Sequence, residues 1–170
     1  RKFSPWQVQF LKNHLHHQCV DRQAEPLGRM GCMADHFMAE DLMLDQFNFG
    51  QYKLYIFPDM VSPHKEMRDM IAKLRKMGKR ILFLYAPGLL RDGEMNPAFM
   101  EELTGIRLGI DEKKQGYAVA HDGPFNDDGM ERVFGGAMDG MKPYICGMED
   151  EKYAFAHGLV NKTQRMIVKD

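Results

Sequence analysis

The sequence lacks any apolar run near the ~20 residues needed to cross a bilayer as a helix, so no membrane span is expected. It lacks a basic excess: the formal net charge is −1. A surface for nucleic acid needs clustered Lys and Arg to meet phosphates. The densest basic stretch, Lys73 to Arg80, reads instead as the solvated end of a helix. Cysteine is scarce, with three in 170 residues. Cys19, Cys32 and Cys146 show no CxxC spacing, which disfavours a disulfide framework or a zinc ribbon. Buried, reduced thiols are the expectation, and they tilt the compartment towards the cytoplasm. Glycine-rich phosphate loops are missing: Gly135-Gly136 and Gly140 do not lead from a strand into a helix. The chain opens on Arg1-Lys2-Phe3-Ser4-Pro5, without a hydrophobic leader and without Met. That reads as a piece of a longer polypeptide.

What is present suits one soluble α/β domain over residues 1–170 with a sizeable core. The apolar share is 44% and the charged share 28%, an ordinary globular balance. Fifteen methionines fit core filling better than a metal site. Ser4-Pro5 looks like a helix start, with Val8, Leu11, Leu15 and Cys19 at helical spacing. Pro26 and Gly28 disturb that pattern, and Gly31 closes it. The stretch Ala34–Leu44 fits a strand or a helix.

The clearest unit spans 52 to 86. Tyr52–Phe57 is aromatic and branched and stops at Pro58, as a buried strand does. Ser62-Pro63 starts a helix. Met67, Met70, Ile71, Leu74 and Met77 form its apolar stripe, while Lys65, Arg68, Lys73 and Lys76 face away. Gly78 sits where a C-cap glycine belongs. Arg80–Ala86 is a second apolar run. Runs apolar on both faces belong to parallel strands covered by helices on each side, so the unit reads as a βαβ crossover.

Beyond it, Arg91-Asp92-Gly93 is turn chemistry. Asn96-Pro97 begins a helix that Gly105 ends, and Ile106–Leu108 looks like a strand. From Gln115 onward, β-like pieces (117–120, 144–146, 153–156, 166–168) alternate with turns at Asp127-Asp128-Gly129 and Gly135-Gly136. The last third therefore reads as a β-rich extension.

The run Tyr52-Lys53-Leu54-Tyr55-Ile56-Phe57-Pro58, the helix ending at Gly78-Lys79, and Ile81-Leu82-Phe83-Leu84-Tyr85-Ala86-Pro87-Gly88 together resemble the class I glutamine-amidotransferase-like domain of bacterial β-galactosidase-like glycoside hydrolases. There it looks like the trimerisation domain after the catalytic barrel. Glu102-Leu103-Thr104-Gly105-Ile106 adds to the likeness, as does Arg29-Met30-Gly31 leading to Asp35 and Asp41-Leu42. The resemblance covers about residues 4 to 110 and, more weakly, 143 to 170. It implies a flavodoxin-like three-layer sandwich with a mostly parallel central sheet. It also implies a non-catalytic accessory or oligomerisation role, with partners in the parent chain and in other copies of it. No cofactor is implied.

In amidotransferases of this fold a cysteine sits on the sharp turn after a core strand, near backbone donors for the oxyanion. The matching turn here, Tyr85-Ala86-Pro87-Gly88, carries no Cys, Ser or Thr, and Pro87 removes a donor. His121-Asp122 does not supply a His-x-Glu pair. No catalytic residue is therefore assigned. Because such folds bind ligands at the C-terminal sheet edge, Tyr85, Ala86, Pro87, Gly88 and Arg91 form a candidate vestigial pocket for a sugar or a nucleotide, although a tight structural loop is the favoured reading of the same residues. Two alternatives to the accessory role follow: a small-ligand module at that edge, or an atypical cysteine hydrolase using Cys32 or Cys146.

Other polar groups carry weaker signals. His14, His17 and Asp21 share a helical face, as do His36 and Glu40, but neither set completes a metal site. His64 falls in the first turn of a helix and faces solvent. His157 has no carboxylate nearby in sequence. Choosing a glycosidase pair among Asp35, Glu40, Asp41, Glu101 and Glu102 would be arbitrary. Asn161-Lys162-Thr163 matches a glycosylation sequon that is common by chance.

Overall fold

The computed structural model describes residues 19–20, 22–31, 33–44, 48–111, 117–120, 128–135, 143–158 and 165–169. The chain divides into two compact units, Arg1–Phe99 and Met100–Asp170.

In the first unit the helix expected from Ser4 lies outside the described residues, apart from its last position, Cys19, which is buried. Helix α1 covers Arg22–Arg29 and contains Pro26. Pro26 does not stop it: the helix continues to Arg29, where an exposed Glu25–Arg29 pair at 2.5 Å spans the proline. Gly31 does end the segment, at φ 70°. The ambiguous stretch resolves into a 3₁₀ turn, Ala39–Met43, with Leu42 buried. It packs on helix α2.

Strand β1 (Leu54–Phe57) and strand β2 (Arg80–Phe83) pair in parallel, Leu54 opposite Arg80 and Phe57 opposite Phe83. Helix α2 (Lys65–Lys76) joins them. The expected crossover is therefore present, with shorter strands. Burial along β1 alternates: Tyr55 and Phe57 are buried, and Phe57 stacks on Phe83 with centroids 5.6 Å apart. On the other face Leu54 is 46% exposed and Leu82 44%. The expectation that both faces are covered does not hold among the described residues. Apolar runs alone do not reveal this, since a half-covered strand can carry leucine on either face.

The start of α2 differs from the expected Ser62-Pro63 cap. His64 is the N-cap, its Nδ1 accepting the Met67 N–H at 3.2 Å. Pro63 is buried one residue before, and its carbonyl accepts from the Arg68 guanidinium at 2.8 Å. Arg68 thus bends back instead of facing away. Glu66 in the first turn and Lys73, Arg75 and Lys76 in the last complement the helix dipole. Met67, Ile71 and Leu74 are buried at 2% or less, each stabilising the unit by roughly 1.5–3 kcal/mol. Met70 is half-buried and Met77 is 45% exposed, because Met77 is already the C-cap. Gly78 follows at φ 70°, and the Lys79 N–H closes on the Leu74 carbonyl at 3.1 Å. That is the glycine-dependent helix end the sequence predicts.

The Asp92-Gly93 turn is a two-residue hairpin, φ 52° and 87°, joining strands β3 (Leu90–Arg91) and β4 (Glu94–Met95). Paired positive φ values are what a twisted hairpin needs. Helix α3 (Pro97–Thr104) opens as expected: Asn96 Oδ1 accepts the Ala98 N–H at 3.0 Å. Gly105, at φ 75°, ends it.

In the second unit, strand β5 (Leu108–Asp111) pairs antiparallel with β8 (Tyr144–Gly147). Strands β6 (Tyr117–Ala120), β7 (Arg132–Gly135), β9 (Ala154–Gly158) and β10 (Arg165–Ile167) form a four-stranded antiparallel sheet in the order β10-β9-β6-β7. The β-rich extension is therefore real, with shifted bounds. Gly129, at φ 72°, turns the chain before β7. Gly135 is a strand residue paired with Tyr117, not part of the expected turn. Among the described residues, one core cluster of this sheet is Ala118, Ala120 and Ala156, with Phe155 against them, and Val119 is buried as well. Mixed α/β class stands, and no closed barrel is formed among the described residues. Their parallel sheet has two strands, so a larger flavodoxin-like sheet is not what they display.

Candidate functional site

The candidate edge begins where β2 stops. Leu84 donates its N–H to the Phe57 carbonyl at 3.3 Å, and the chain then turns sharply. Ala86 takes φ 34°, a region that costs a residue with a Cβ about 1–2 kcal/mol. Gly88 follows at φ 76°, where the missing Cβ removes that cost. Ala86, Pro87, Gly88 and Leu89 are all buried, Ala86 and Leu89 to 1%.

Three backbone donors at and after this turn are already engaged. The Gly88 N–H donates to the Met60 carbonyl at 2.7 Å, Leu89 to Ala86 at 3.2 Å, and Leu90 to Val61 at 3.0 Å. Pro87 has no N–H to offer. Gly88 and Leu90 are thus laced to the loop after β1. An oxyanion hole requires two donors aimed at empty space. The N–H groups of residues 88, 89 and 90 are not free to serve as one.

The five sequence-predicted site residues are neighbours in the chain, and three of them, Ala86, Pro87 and Gly88, are buried. Tyr85 is half-buried. The Arg91 guanidinium lies over the Phe99 ring at 4.2 Å, a cation–π contact that fastens the hairpin to the first turn of α3. These side chains build a turn.

The described thiols suit a structural role. Burial, with Asp59 as a second cause, pushes the Cys19 thiol up to about 11. Burial raises Cys146 as well, with Asp111 adding to it, and its Sγ lies 3.7 Å from the Gly109 carbonyl. A thiol held above its ordinary value is almost entirely protonated at neutral pH and reacts poorly. Cys32 lies outside the described residues, as do His14, His16, His17, Asp21, His121 and Asn161. Among the described residues, no three His, Cys, Asp or Glu side chains come together as metal ligands. His36 and Glu40 are both exposed. His64 is exposed as expected, and it also caps α2.

The polar cluster that sequence reasoning misses is in the second unit. Glu149 is buried at 6%. Its Oε1 accepts the Arg107 N–H at 2.9 Å and the Lys169 ammonium at 3.0 Å. Its main-chain carbonyl accepts from Arg165 at 2.8 Å. The Arg107 N–H, and after it Lys169, hold the Glu149 carboxyl below its ordinary value. Beside it, Glu151 meets Arg165 Nε at 3.0 Å and His157 Nε2 at 2.6 Å. His157 therefore does have a carboxylate partner, six residues back and brought round by the 3₁₀ turn Glu151–Tyr153. In sequence, Met148-Glu149-Asp150-Glu151 looks like a solvated acidic tract. Nothing in that tract itself marks Glu149 as buried and Glu151 as exposed. The acids and cations here pair with one another, and Glu149, the one buried member, has partners for its charge, as a buried carboxylate needs.

No family model matches the chain, and neither a curated protein nor a solved structure matches it.

Proposed function

We propose that this chain is a non-catalytic accessory domain of a β-galactosidase-like glycoside hydrolase, acting in oligomerisation. On this reading the crossover β1–α2–β2 is the kernel of a flavodoxin-like, amidotransferase-type domain. Its nucleophile turn keeps a strained backbone and carries a methyl group. One observation carries the reading: Ala86 holds φ 34° while 1% exposed. Strain of this kind persists only where surroundings enforce it, and it concentrates at functional turns. Here it is enforced with no reactive side chain on the turn and with the neighbouring N–H groups consumed. Raised, buried thiols at Cys19 and Cys146 argue against an atypical cysteine hydrolase. The burial of residues 86–89 argues against a ligand module at this edge. A reducing compartment fits two free, buried cysteines. Among the described residues no helix is long and apolar enough to cross a membrane.

The test is light scattering after size exclusion on the longer protein that carries this segment, with and without it, alongside glycosidase and glutaminase assays. Loss of the oligomer on deletion, with no glutamine hydrolysis by either form, is the expected result. An unchanged assembly, or glutamine turnover that disappears with the segment, would overturn the proposal.

A further inference from the structure

No further inference is drawn: the strongest candidate, the open face of the β1–β2 sheet where Leu54, Ile56 and Leu82 surround Arg80, is an apolar patch for which nothing in the structure shows what covers it.

Discussion

The two units are held together by different physics. In the first, large apolar side chains do the work. Met67, Ile71 and Leu74 present one stripe of α2, and Phe57 stacks on Phe83. In the second, Met100 and Leu103 are buried too, but the core cluster of the four-stranded sheet among the described residues is three alanines, and a buried carboxylate gathers Arg107, Lys169 and Arg165 around it. An apolar core tolerates imprecise geometry, whereas an ion network stabilises only when every partner is in place. The α2 stripe of the first unit is thus encoded by pattern, and the Glu149 cluster of the second by individual side chains.

That contrast can be broken by substitution. The largest effect is expected at Ile71, which is fully buried. Ile71→Ala should cost the first unit about 2–5 kcal/mol. Hydrogen exchange should report the loss in β1, α2 and β2 while β6 and β9 stay protected. Equal loosening of both units would mean they do not differ as described.

A smaller loss is expected from Gly147→Ala. A Cβ there would collide with the Ile167 side chain and come within 3.0 Å of the Arg165 carbonyl. Overpacking of that kind costs about 1–3 kcal/mol. It should appear as a lower urea midpoint for the second unit. A wild-type midpoint would show that β8 and β10 do not approach so closely.

Glu149→Gln should act more gently at neutral pH, since the amide oxygen can still accept the Arg107 N–H and Lys169 can rehydrate. Its diagnostic is the pH dependence. The folded Glu149 carboxyl sits below its ordinary value, so its contribution is complete above the ordinary carboxylate range. It is lost as pH falls through the depressed folded value. Thermal melts of wild type and variant should therefore differ at neutral pH and converge in acid. A constant gap from neutral to strongly acid pH would sink the assignment.

The smallest effect has the opposite sign. Ala86→Gly should stabilise the turn, by at most about 1 kcal/mol, because relief of the left-handed strain is partly offset by the freer unfolded chain. A clear loss of stability would mean that Ala86 is not strained.

Much of the first unit was legible because periodicity reports burial directly. The 3.6-residue spacing of Met67, Ile71 and Leu74, the stop at Gly78, and the Asn96-Pro97 start each act through a local rule. The His64 cap was less visible, since Ser62 is the commoner capping type and Pro63 the usual first helical residue. The exposure of Leu54 and Leu82 was not legible at all: a strand's second face depends on what packs there, not on the strand. In the second unit strand positions were readable to within a few residues, yet β7 was missed because Gly135 looked like a turn. Glu149 was hidden because a carboxylate announces burial only through distant partners, Arg107 and Lys169. At the candidate turn, the missing nucleophile was plain from the sequence. The engagement of its N–H groups by Met60 and Val61 depends on tertiary geometry and was not.

The central claim is that the turn after β2 is sealed as well as empty of reactive side chains. Amide hydrogen exchange at Gly88, Leu89 and Leu90, read residue by residue by NMR on the native chain, addresses it most directly. Strong protection at all three, comparable to the amides of α2, is the expected result. Exchange of Gly88 and Leu89 at the rate of an open loop would contradict it, because donors would then be free to hold a ligand or an oxyanion.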